Sequence, residues 1–289
     1  MATPRVVLLA LTLAAATASP GRTDEEPKVN LRGPAPQVGQ VFRKTGKFQM
    51  KDADLTSQSQ GTEVSGKVSL TVVSEEEVKI VAVDAGKVSR FQTKDIQDET
   101  RTVTTIAGHS STDEDVDDLA GQVIRSEKRE GKWTHALVDA RPTEKQQKSL
   151  GRLAGWDDEE EIPEGKQPIG RSWEQDATHM KKGLGGGFTS VSGKVKATFV
   201  RLEKYRGELC AVIESAGRIK AKMAVDEGDG LMDLDLKAAE YRSLRSGYVM
   251  KTTLEGTARI VSKTKVGEVN VTVEMKGKFS AEETAELKE

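Results

Sequence analysis

Cysteine is almost missing from this chain: Cys210 is the only one in 289 residues. That excludes a disulfide within the chain, and no cysteine stands near the N-terminus to carry a lipid. Aromatic residues are scarce at 4%, which leaves little material for sugar recognition by stacked rings. Neither sign of charge dominates, with 44 Lys and Arg against 46 Asp and Glu. A nucleic-acid footprint and a polybasic membrane patch are thereby both disfavoured. No His-Glu-x-x-His, Gly-x-Ser-x-Gly elbow or phosphate loop followed by Lys-Ser/Thr occurs. Beyond residue 16 no apolar run approaches the roughly 20 residues that a membrane helix needs.

What is there begins with a leader. Arg5 supplies a positive start, Val6 to Ala16 an apolar run, and Ala16-Thr17-Ala18 a small-residue cleavage site. This is the layout of a secretory signal peptide over residues 1–18. Export without disulfides points to a bacterial periplasm or cell exterior, and to a soluble mature chain. Residues 19–36, polar and proline-rich, are expected to be disordered.

The body of the chain alternates. Ile219, Ala221, Met223 and Val225 share one side of a strand, with Arg218, Lys220 and Lys222 on the other. Val269, Val271, Val273 and Met275 repeat the pattern. A period of two describes antiparallel sheets with one buried and one wet face. DAGK (84–87), SEEE (74–77) and DEGDG (226–230) are candidate turns. PTEKQQKSLGRLAGW (142–156) is the best helix, starting at Pro142-Thr143 and stopping at Gly155. Ser280-x-x-Glu283 predicts a capping box and a short C-terminal helix or frayed tail.

One phrase occurs twice: VSGKVSLTVV (Val64 to Val73) and VSGKVKATFV (Val191 to Val200), identical at seven of ten positions. VGQVF (38–42) and IGRSW (169–173) precede the two copies, and LAGQVI (119–124) can be set against LEGTARI (254–260). Landmarks in one order at a similar spacing predict an internal duplication. The expected fold is therefore mainly β, two related antiparallel domains, each a curved half-barrel or sandwich, with few helices. The first spans 37–156, an acidic linker 157–167, and the second 168–289.

Chemistry-bearing motifs are weak. GLGGGF (183–188) leads into a strand rather than a helix, so it lacks the dipole that a phosphate site uses. Asp113, Asp115 and Asp117 resemble the opening of a calcium loop, but Asp118 and Ile124 stand where the Gly and Glu of an EF-hand belong. The reading favoured there is a solvated turn, with weak calcium binding at 113–118 as the alternative. His109, His135 and His179 have no metal-ligand spacing, and Cys210 in LCAVIES reads as a buried hydrophobe. No catalytic, metal or cofactor site is assigned. A hydrolase using dispersed acidic residues remains the competing class.

The leader, the Pro168-Gly170-Trp173 entry and the tandem strands resemble a loose class of exported bacterial proteins. At the level of fold they are similar to the half-barrels of periplasmic lipoprotein and lipid carriers. That resemblance implies a non-enzymatic binding or structural role, with a lipid, another apolar small molecule or an envelope protein as partner. Ligand contacts are expected on the apolar strand faces that begin at Val64 and Val191, at Val68, Leu70, Val72, Val195 and Phe199, with Trp133 and Trp173 beside them.

Overall fold

Alternation resolves into strands of great length. The computed structural model describes residues 27–153, 155–156, 162–178, 188–225, 228–266 and 269–288. In chain order the elements are β1 (Lys28–Asn30), β2 (Val41–Ser59), β3 (Thr62–Asp84), β4 (Lys87–Ile106), β5 (His109–Val116), β6 (Val123–Arg129) and β7 (Lys132–Leu137). There follow α1 (Glu144–Leu150), β8 (Lys166–Pro168), β9 (Ser172–Asp176), β10 (Phe188–Tyr205), β11 (Glu208–Val225), β12 (Gly228–Ser243), β13 (Val249–Val266) and β14 (Val269–Lys288). The 23 residues of β3 span about 75 Å at strand rise.

These strands form one antiparallel 12-stranded sheet in the order β7-β6-β4-β3-β2-β14-β13-β12-β11-β10-β9, with β5 branching from β4. The two ends of that order, β7 and β9, do not pair, so the sheet is not a closed barrel. The N- and C-terminal halves join where β2 pairs with β14, from Val41↔Lys288 to Ser59↔Val271. The expected 157–167 linker falls partly outside the described residues. Within it Ile162 is buried and Lys166 already belongs to β8.

Hairpin turns explain why the strands run so far before reversing. Gln60-Gly61, Ala85-Gly86, Ala107-Gly108, Glu130-Gly131 and Arg206-Gly207 each place two successive residues at positive φ. Such paired left-handed positions match the twist of the flanking strands, and glycine takes the second one without strain. DAGK is thus a turn, as expected. SEEE is not: Ser74–Glu77 lies inside β3. Its glutamates are held by cations across the ladder, with Glu75 on Arg43, Glu76 on Lys44 and Glu77 on Lys288.

Two further expectations are corrected. The C-terminal segment is not a helix, because β14 continues as a strand to Lys288, paired residue by residue with β2. Tertiary pairing overrides the local capping signal. The segment 19–36 is structured from Pro27 onward: β1 pairs with β8, and Leu31 is fully buried. Gly33 then presses on Gly247 so closely that a Cβ would lie 2.2 Å from its Cα. This strap ties the start of the first half to the second. α1 does begin at Thr143, which forms a full capping box with Gln146. It ends at Leu150 with Gly151 as its cap rather than at Gly155, where an added Cβ would meet the Trp133 ring.

The largest core lies on one face of the long strands. Register puts Val195, Gly217, Leu236, Gly256, Phe279, Met50 and Leu70 in one row from β10 to β3. From Val195 to Phe279 large and absent side chains alternate, and Met50 and Leu70 then continue the row with large ones. Val64 does not join this core; near the β2–β3 turn it is 41% exposed.

The two copies of the decapeptide lie in β3 and β10. Lys67 and Lys194, equivalent within it, each pair with a carboxylate on the preceding strand, Asp54 and Glu174. VGQVF and IGRSW enter alike: Gly39 and Gly170 both have positive φ, and Gly39-Gln40 bond the Ile80 backbone as Gly170-Arg171 bond that of Phe199, although the register beyond differs. Phe42 stands opposite Val78, whereas Trp173 stands opposite Ala197. Leu119 sits in a turn and Leu254 in mid-strand. The likeness covers the decapeptide and the entry before it, and does not by itself establish a duplication of the whole unit.

Candidate functional site

The seven residues expected to meet a ligand are dispersed among three cores. Val68 and Val195 are buried in the central cluster, with Leu70 packed against it. Phe199 is buried in a second cluster with Leu31, Ala197, Ala211 and Ile213, and Trp173 packs there. The indole N–H of Trp173 is buried without a hydrogen-bond partner. Trp133 belongs to a third cluster, an aromatic group with Phe42, Phe91, Trp156 and Tyr248. Val72 is half-buried in β3. None of the seven lines either main cavity.

The larger cavity, about 840 Å³, crosses six strands from β2 to β10. Its lining follows from the register. One row reads Lys196, Ala216, Lys237, Glu255, Ser280, Gln49, and the next Thr198, Glu214, Ala239, Thr253, Glu282, Lys47. Both rows lie on the face opposite Val195 and Met50. At the outermost strands only this face contributes, through Lys196, Thr198 and Val200 from β10 and Lys47 and Gln49 from β2. The cavity is therefore an open groove on the wet face. Its centre is low because alanine, serine and threonine occupy positions where long polar side chains would otherwise stand. On this face Ala216 and Ala239 are its apolar positions, and Lys, Glu, Thr, Ser and Gln surround them. The sequence carries a signal for this: Ala216 on β11 and Ala239 on β12 occupy wet-face positions where charge is the rule elsewhere. Strand alternation alone drew attention to the other face.

A smaller cavity of about 360 Å³ lies under the strap, between Arg32–Pro36, the Ala85-Gly86 turn, Trp156 and Tyr248. Tyr248 donates to Gln40 at 2.9 Å, and Arg32 bonds the Ile162 carbonyl and Glu164. These bonds close the strap over the aromatic cluster.

Acidic residues gather where the sheet forks, β4 pairing first with β6 and then with β5. Burial, and then the charges of Asp98, Asp117 and Glu76, push the Asp95 carboxyl up to about 6. Asp98 is raised for the same reasons. Because the folded value lies above the ordinary one, protonation of Asp95 favours the fold. This stability is fully present below about pH 4 and is lost as pH rises through about 6. Asp95→Asn is thus expected to stabilise the protein at pH 7.5 and to do nothing at pH 4. The full displacement corresponds to about 3 kcal/mol, and solvent screening at a half-exposed site reduces it to about 1 kcal/mol. Urea denaturation at the two pH values checks this.

The remaining candidates are structural. Asp113 and Asp115 are exposed on β5, while Asp117 accepts from the Leu119 N–H at 2.7 Å. Among the described residues no group of three His, Cys, Asp or Glu is placed to hold a metal ion. His109 is exposed at the start of β5, and His179 lies outside the described residues, as do 183–187 of the glycine run and 226–227 of DEGDG. His135 Nδ1 is 2.8 Å from the Ser126 hydroxyl, and burial lowers its pKa. Ser126 is only 2% exposed, so its hydroxyl is not open to a substrate. Cys210 is fully buried, and burial pushes its thiol up, away from the reactive thiolate.

No family model matches the chain, and no curated protein matches it. No helix among the described residues is long and apolar enough to cross a membrane. Fold and site together define a mainly β protein, one open antiparallel sheet with a shallow groove on its wet face.

Proposed function

We propose that this is an exported, non-enzymatic binding protein that holds an extended, mainly apolar ligand across the groove from β10 to β2. The observation behind this reading is the groove itself. Its volume falls within the range of small-molecule sites, about 300–1,000 Å³, and small side chains at Ala216, Ala239, Thr253 and Ser280 lower its middle between charged neighbours. The leader at 1–18 supports export. The ligand site moves from the core face to the wet face, because Val68, Val195 and Phe199 are consumed by packing.

Filling the groove tests the reading. Ala216 is exposed on β11, second in its row, and tryptophan is well accommodated on strands. Ala216→Trp should leave the melting temperature within about 2 °C while weakening binding of the neutral dye Nile red at least about ten-fold. Dye fluorescence unchanged by the substitution would remove the groove from consideration. The hydrolase reading draws on the raised carboxyls of Asp95 and Asp98, but neither lines a main cavity.

A further inference from the structure

The cavity under the strap, about 360 Å³, stands apart from the groove, and among the described residues the two share no lining. Its walls also differ in kind. Trp156 and Tyr248 border it, whereas no aromatic residue among those described borders the groove. Gly33, Gly86 and Gly247 bring no side chain to fill it, and their φ values of +66, +78 and +77 make a larger residue strained there. The mouth lies between the strap and the β3–β4 turn, where Ala35, Ala85 and Gly86 are exposed.

The rings that border the cavity leave one kind of contact unused. Trp156 meets Phe42, Phe91 and Tyr248 at interplanar angles of 54°, 64° and 86°. All three contacts are tilted or edge-on, and no ring among the described residues stacks flat on the indole. Aromatic pairs favour offset stacking as well as edge-to-face contact, and Trp156 uses the second without the first. Tyr248 is held by its bond to Gln40 and by Phe42, whose ring centroid lies 4.1 Å from its own. Because Trp156 and Tyr248 stand at 86°, a flat guest stacked on the indole meets Tyr248 edge to face without either ring turning. The volume is at the low end of ligand sites, about 300–1,000 Å³, and suits one or two fused rings. We propose that this cavity is a second binding site, independent of the groove, for a small planar aromatic molecule that stacks on Trp156.

Two probes with one carbon skeleton separate flatness from apolarity: 2-naphthol and its saturated counterpart, decahydro-2-naphthol. By isothermal titration calorimetry on the full chain, 2-naphthol is expected to bind about ten-fold more tightly. Trp156→Leu keeps an apolar wall but removes the stacking surface. It should bring 2-naphthol down to the level of the saturated alcohol and leave the latter within about two-fold. Ala35→Trp, a change at an exposed position of the mouth, should abolish binding of both, whereas the groove variant Ala216→Trp should alter neither. Melting curves show whether each variant is folded. If Trp156→Leu does not fold, Ala35→Trp and the wild-type affinity ratio still decide the matter. Equal affinity of the wild type for the two alcohols would overturn the aromatic guest. Absence of binding, binding indifferent to Ala35→Trp, or binding lost in Ala216→Trp would overturn the site.

Discussion

Phe199→Ala is expected to lower the melting midpoint by on the order of 10 °C, the largest loss from any single truncation in this sheet. Phe199 is fully buried and sits where three separate pieces of chain converge. The strap contributes Leu31, the segment after the acidic stretch Ile162, and the sheet Ala197, Ala211 and Ile213. Two of the sheet residues are alanines, with no side chain to swing into a void, so the cavity left behind persists. Phenylalanine-to-alanine changes at such sites cost about 3–5 kcal/mol, and each kcal/mol shifts the midpoint of a domain this large by about 2–4 °C. Phe199→Leu, which keeps most of the volume, should lose less than half as much. Because Leu31 rests on the same ring cluster, trypsin should cut after Arg32 faster in the alanine variant. Thermal denaturation and a digestion time course decide both points.

Gly193→Ala is expected to cost about 3 kcal/mol, although it adds a single methyl group. Two effects coincide. The backbone stands at φ +129, a region open essentially to glycine alone, and a Cβ there would lie 2.2 Å from the Arg218 carbonyl oxygen. The obstacle is main chain in the β10–β11 ladder, so relief requires that strands separate. A Cβ on Gly66, its counterpart in the repeated phrase, would lie 2.4 Å from the Thr105 carbonyl oxygen, but Gly66 carries no positive φ. Gly66→Ala should therefore be the milder change, and Ser192→Ala close to neutral. Equal losses at 193 and 66 in urea denaturation would refute the backbone part of the argument.

That pair of glycines also shows what alternation can and cannot reveal. VSGKV recurs because both copies face the same local demand: a glycine under a neighbouring carbonyl and a lysine that meets a carboxylate on the preceding strand. The repetition was legible, and so was strand type, since polar and apolar residues change sides at every step. Strand length was less so. Ser74–Glu77 looks like a turn until Arg43, Lys44 and Lys288 are seen beside it, and those partners come from distant parts of the chain. The tail after Ser280 looks helical for the same reason, because its pairing with β2 spans almost the whole sequence. The groove was hidden differently. Its lining is drawn from six strands, and β2 lies far in sequence from the other five. Period two marks which residues face together, yet it is silent on which face becomes concave and on which apolar face packing uses up.

The seam between β2 and β14 has a mechanical meaning. The two strands run antiparallel, with Val41 and Lys288 side by side at one end and Ser59 and Val271 at the other. Tension applied at Val41 and Lys288 loads the ladder in a peeling direction, so its hydrogen bonds yield one pair at a time rather than together in shear. The line that unites the halves is in this sense a zip, strong against heat through the packing on its faces and weak against a pull from its open end.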